Sequence, residues 1–181
     1  LEETWEEWDR STLPSLGADV LLTGRDQDAT AVMAWVQASP AVMSIQAEAP
    51  EEGMAFLYAA ISQLPPAYRQ AYLSSCVVAD DTATARDLVG VASHLHVVLV
   101  DPDPGLAGRL AADGHHVFSI YGSSLSAGSV QTLARPLTHD LEDALKRAGL
   151  DEQGAHQAAR GAGRSITVLR RLMPAGPVRE A

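Results

Sequence analysis

Leu95-His96-Val97-Val98-Leu99-Val100-Asp101 is the stretch that decides the fold. Residues 95–100 are apolar at every position but His96, with no alternation of polar and apolar side chains. A strand with one wet face alternates, so this one should be covered on both faces. Val98 and Val100 should point to one face, Val97 and Leu99 to the other. The strand is expected to be central, with parallel neighbours and helices above and below. Asp101 should then emerge at the carboxyl edge of the sheet, where open α/β sheets place ligand sites.

The flanking sequence repeats the same alternation. Toward the N-terminus come a helix over 82–93, a strand over 74–79 (SSCVVA), an amphipathic helix over 51–63 and a strand over 41–46 (AVMSIQ). Toward the C-terminus come a short helix over 105–113, a strand over 115–121 (HHVFSIY) and a fifth over 131–136 (QTLARP). These are the intervals of βα units joined by right-handed crossovers. The expected fold is α/β in three layers, a mostly parallel sheet of about five strands with helices on both faces.

Beyond Pro136 strands stop. Residues 138–148, 151–161 and 165–173 read as helices, with Thr138, Asp151 and Ser165 as N-cap candidates and Gly149 as a stop. They make a C-terminal helical subdomain. Ahead of the core, 26–38 reads as a helix whose apolar side carries Val32, Met33, Trp35 and Val36. Residues 2–10 read as an acidic helix with Trp5 and Trp8 on one face, expected to dock on the domain. The expected division is an N-terminal helix and linker over 1–19, a core over 20–137, a lid-like helical part over 138–173 and a tail over 174–181.

Composition narrows the function. The chain has 181 residues, 46% of them hydrophobic, and a net charge of −10. That supports one packed domain and disfavours general nucleic-acid binding, which needs phosphate neutralisation. Residues 1–60 carry 11 acidic and 2 basic side chains, whereas residues 131–181 carry 6 and 8. No apolar run reaches about 18 residues, so no membrane span is expected. Cys76 is the single cysteine, which excludes an internal disulfide framework and suits a reducing cytoplasm. The chain opens at Leu1 without a signal-peptide pattern, as expected of a domain excised from a longer protein.

Several residues are candidates for chemistry. Gly24-Arg25-Asp26 precedes a helix, a strand at 42–46 follows, and the strand after next ends in Asp101. Another strand follows at 117–121, then helices at 138–173 with Arg164 before the last. This order resembles the signal-transduction ATPases with numerous domains (STAND) and their AAA+ relatives, over roughly residues 20–173. The resemblance implies a P-loop NTPase core with a phosphate loop at residues 46–54 and a Walker B-type acid at Asp101, with Asp103 beside it. It also implies a sensor strand at 117–121, and a lid whose basic sensor would be Arg164. The context it implies is a larger bacterial signalling or defence protein in the cytoplasm, with other domains or a protein partner to dock on.

The loop departs from the family's pattern. A working loop reads GxxxxGK[ST], so that backbone N–H groups and a lysine surround the phosphates. Here the stretch is Gln46-Ala47-Glu48-Ala49-Pro50-Glu51-Glu52-Gly53-Met54. It has no lysine, only Gly53, and three carboxylates at Glu48, Glu51 and Glu52. Each carboxylate within about 6 Å of a phosphate would cost on the order of 1 kcal/mol even at surface dielectric. No nucleotide cofactor is expected. The functional expectation is a non-hydrolysing, degenerate STAND/AAA+-like module serving a regulatory or scaffolding role. The alternative is a small-molecule-binding or Mg²⁺-dependent phosphotransfer enzyme using Asp101 and Asp103. Such enzymes carry D-x-D on the first strand with a Thr two residues on, where Pro104-Gly105 stands here.

Other features read as structural. Asp81 suits the N-cap of helix 82–93. His94, His96, His115 and His116 lie at strand starts, on the edge opposite the expected ligand edge, and their spread and lack of cysteine give no metal site. Gly122-Ser123-Ser124 lacks the G-x-S-x-G elbow. Cys76 reads as core. Arg160, Arg164, Arg170 and Arg171 make the lid basic against an acidic core.

Overall fold

The computed structural model describes residues 18–79, 87–88, 94–103, 105–122 and 131–172. The Trp5/Trp8 helix, Asp80-Asp81, most of the 82–93 helix, Ser123, Ser124 and the tail lie outside the described residues.

The fold is α/β around a parallel sheet. Strands β1 (Val42–Gln46), β2 (Cys76–Ala79), β3 (His96–Val100) and β4 (His116–Tyr121) are joined by a two-residue pairing, β5 (Gln131–Thr132). The order is β2-β3-β4-β1-β5, every pair parallel. β3 lies between β2 and β4, as its unbroken apolar run predicts.

The described helices are α1 (Ala18–Leu21), α2 (Asp26–Gln37), α3 (Pro50–Ser62), α4 (Pro66–Ser75), α5 (Leu106–Ala112), α6 (Thr138–Arg147), α7 (Glu152–Ala162) and α8 (Ile166–Leu172). Alternation along the strands feeds two cores. Ile45, Val98, Phe118 and Ile120 pack with Val32 and Trp35 of α2, Phe56 and Leu57 of α3 and Tyr72 of α4. On the other face Ala79, Val97, Leu99 and Val117 pack with Leu106 and Leu110 of α5. A third cluster joins Leu141, Ala155, Ala159, Ile166 and Leu169 of α6–α8 to Val20 and Leu21 of α1 and Ala55 and Ala59 of α3. The C-terminal helices therefore build their core against the outer side of α3. Among the described residues no helix is long and apolar enough to cross a membrane.

Three local readings are corrected. No helix is expected between residues 63 and 74, yet α4 spans Pro66–Ser75 and takes Ser74 and Ser75 from the strand expected over 74–79. Pro66 occupies the first turn, where its missing N–H costs nothing, and the helix runs directly into β2 at Cys76. The fifth strand is expected over 131–136 but pairs only at Gln131–Thr132. Beyond Leu133, side chains take over the backbone: Ala134 N–H donates to Asp28 at 3.1 Å, and Ala134 C=O accepts from Arg25 Nε at 2.8 Å. Leu137, not Thr138, is the N-cap of α6. Asp151 and Ser165 do cap, accepting from the N–H groups of Gly154 (2.7 Å) and Val168 (3.1 Å).

Gly53 fixes how closely α3 lies on the sheet. A Cβ there would fall 2.6 Å from Ile120 Cγ2. Gly53→Ala should destabilise the domain by about 1–3 kcal/mol through overpacking. Urea denaturation checks this, and Ile120→Ala should make the Gly53 change cheaper in the double variant than alone.

Candidate functional site

β1 and β3 both abut the carboxyl end of β4. Gln46 pairs with Tyr121, and Ala47 N–H donates to Tyr121 C=O at 3.0 Å. On the other side Asp101 N–H donates to Ile120 C=O at 2.8 Å. Asp101 Oδ1 accepts from Gly122 N–H at 2.9 Å, with Asp101 at φ 44°, in the left-handed region. The 46–53 loop and Asp101 thus flank β4, about 10 Å apart at ordinary strand spacing. From β1 the chain crosses to β2 by way of α3, and from β3 it returns to β4 by way of α5, on the opposite face. This reversal makes the carboxyl end of β1 and β4 a topological switch point, the usual place for a ligand crevice.

The crevice loop is braced from within. Three residues, Ala47 to Ala49, link β1 to α3, whose first residue Pro50 has no N–H. The N–H groups of Glu52 and Gly53 turn back to Ala49 C=O. Little of the helix N-terminus is left for an anion. Glu52 is buried and forms an ion pair with Arg25, itself only 1% exposed. Glu52 Oε2 accepts from Thr167 Oγ1 at 3.0 Å. Arg25 also donates to Leu21 C=O at 3.3 Å and packs over the Phe56 ring. Glu48 accepts from Ser165 Oγ at 2.6 Å and pairs with Arg135 at 2.6 Å. The two glutamates therefore tie the α1–α2 turn, the β5–α6 connection and α8 to the loop.

The remaining expected site residues take separate positions. Glu51 is exposed on the first turn of α3. Asp103 is exposed, and its C=O accepts from Leu106 N–H at 3.2 Å as α5 begins. Arg164, at φ 69°, donates to the C=O groups of Pro136 (3.1 Å) and Arg135 (3.3 Å). It braces the α6 entrance, one step from Glu48 through Arg135. Asp28, Arg135 and Thr167 complete the network without any motif to announce them, and Arg25 and Ser165, noted for other reasons, join it. Glu52 and Thr167, for instance, are 115 positions apart.

A second polar region is a cleft of about 530 Å³ between the α1–α2 turn and α6, lined by Asp19, Asp26, Asp140, Asp143 and Arg147. Its charge repels phosphates. A third lies at the amino edge of the sheet. His96 opens β3 in register with His116 at the start of β4, and the two rings stack 4.9 Å apart. His94 stands edge-on to both, and Trp35 closes the other side. The sequence spacing gave no reason to join these rings; strand register does. Burial, and next the His116 ring, lower the His96 pKa to about 4. Burial also lowers that of His116. His115 points away from this group, its Nδ1 accepting from Leu95 N–H at 3.1 Å. Burial pushes the Cys76 thiol up to about 12, which makes it an inert core residue.

No family model, curated protein or solved structure matches the chain.

Proposed function

We propose that this domain is a degenerate relative of STAND/AAA+-type P-loop NTPases that holds no nucleotide and serves as a regulatory or scaffolding module of a larger bacterial protein. One observation carries the reading. At the switch point, Glu48 and Glu52 neutralise the protein's own Arg25 and Arg135 and accept from Ser165 and Thr167. A phosphate loop presents positive charge and free N–H donors to its ligand; this loop presents carboxylates already engaged with the lid. The order of loop, acid-tipped strand and helical lid supports the kinship. The internal bracing supports loss of the ligand. On this reading the domain works in the cytoplasm by docking on other domains of its chain or on a protein partner, with its lid held shut.

Calorimetric titration with ATP–Mg²⁺ tests this directly. No heat of binding is expected up to millimolar ligand. A dissociation constant below roughly 100 µM, mapped to residues 46–53, would overturn the reading. A thermal shift with and without Mg²⁺ addresses the enzyme alternative at Asp101 and Asp103. Asp101→Asn keeps an acceptor for Gly122 N–H and tolerates the left-handed backbone, so its melting temperature should match the wild type with or without Mg²⁺. A Mg²⁺-dependent stabilisation lost in Asp101→Asn would favour the Mg²⁺-dependent enzyme instead.

A further inference from the structure

One ring nitrogen from each of His94, His96 and His116 lies within 4.8 Å of the others. One nitrogen of each ring is engaged with an oxygen. His116 Nε2 meets Ala38 C=O at 2.9 Å, and His94 Nδ1 meets Gly114 C=O. A carbonyl oxygen can only accept, so His116 carries its proton on Nε2 and His94 on Nδ1. His96 Nδ1 meets Ser75 Oγ at 2.6 Å, and that hydroxyl has its own acceptor in Ala71 C=O at 2.9 Å. His96 therefore donates from Nδ1 and keeps a lone pair on Nε2.

The consequence is a contact that does not balance. His116 Nδ1 and His94 Nε2 face each other at 3.1 Å, and both are bare acceptors. Two lone pairs at that distance repel unless a positive centre lies between them. A proton carried by exposed His94 would satisfy that pair alone and leave the His96 lone pair unused. A metal ion would take the lone pairs of all three. Each ring already has the outer hydrogen bond that orients metal-bound imidazoles. We infer that His94, His96 and His116 form a binding site for a divalent first-row transition ion, Zn²⁺ being the natural occupant.

The donor set fixes the class of ion. Three imidazoles without a carboxylate suit Zn²⁺, Co²⁺, Ni²⁺ or Cu²⁺ and not Mg²⁺ or Ca²⁺. Bonds of about 2.1 Å at tetrahedral angles set ligands about 3.4 Å apart, so the rings must close by at most about 1.4 Å. His94 is exposed, which leaves the fourth position to water or an outside ligand. The site stands on the edge opposite the glutamate-braced loop and does not depend on the NTPase reading.

Titration of the chelator-treated chain with ZnCl₂ tests the site, with CoCl₂ as a spectroscopic probe. One equivalent should bind with a dissociation constant below about 10 µM, and Co²⁺ should show the visible bands of a tetrahedral nitrogen site. His94→Ala, at an exposed position, should remove that equivalent. Ser75→Ala should weaken it by roughly 10–100-fold. The double change His139→Ala/His156→Ala should leave it intact, since those rings face Asp143 and Glu142 at the surface. In the unaltered chain, Zn²⁺ should shift the ring resonances of His94, His96 and His116 and spare those of His115. This needs no variant to fold. Absence of binding, ring shifts confined to other histidines, or an equivalent that survives His94→Ala would each overturn the assignment.

Discussion

Leu99→Asp is expected to leave the chain unfolded. Leu99 is 1% exposed, on the third strand of the sheet, against Ala79, Leu106 and Leu110. Its backbone lies between β2 and β4, so the new carboxyl could not swing to an edge. Loss of the leucine packing alone costs about 2–5 kcal/mol. Burial of an unpartnered carboxyl adds several more, even after it protonates. Together these approach the roughly 5–15 kcal/mol that holds a domain of this kind. Val98→Asp, on the opposite face, should do the same, because Val98 is fully buried in the other core. Val42→Asp, at an exposed strand start, should be tolerated. Circular dichroism and amide NMR spectra distinguish these outcomes. A cooperative melt within a few degrees of wild type for Leu99→Asp would show that β3 is not central.

This strand was readable because nothing but burial on both faces explains five apolar residues without alternation. The strands expected over 41–46 and 115–121 were readable from βα spacing. α4 was not readable. Pro65 and Pro66 mark its start and signal a turn and a helix start equally well, and its polar residues conceal the anchor Tyr72. The end of β5 was hidden for another reason. Side chains from Arg25 and Asp28, more than 100 positions away, take the bonds that a neighbouring strand would otherwise supply.

The candidate site was legible as a place more than as a mechanism. Chain order brings Asp101 and the 46–53 loop to one crevice, and the missing lysine argues against phosphate there. The glutamates read as repulsive because their partners are remote in sequence. Arg25 looked like part of a family signature; in the fold it is a buried cation that requires a carboxylate. The histidines show the same limit. Spacings of 2 and 20 residues between His94, His96 and His116 match no metal motif, yet the in-register pairing of β3 with β4 makes neighbours of them.

Glu52→Ala should be the most damaging change within the crevice network, at about 3–5 kcal/mol. Its cost comes mostly from what it leaves behind. The Arg25 guanidinium is enclosed by Leu21, Phe56 and the 134 carbonyl and cannot reach water without opening α1 and α3. Glu52→Gln should cost less, since the amide oxygen still accepts from Arg25. Thr167→Val removes one hydrogen bond and should cost about 1 kcal/mol. Arg25→Met/Glu52→Leu should be more stable than Glu52→Ala, because two apolar side chains of similar volume leave no unpaired charge. Urea midpoints for this set, with the coupling taken from the double-variant cycle of Arg25→Met and Glu52→Leu, give the test. If Glu52→Ala costs less than about 1 kcal/mol, or the two changes simply add, the loop is not held by this pair. If the cycle shows strong coupling, the acidic loop has a structural reason to keep Glu52.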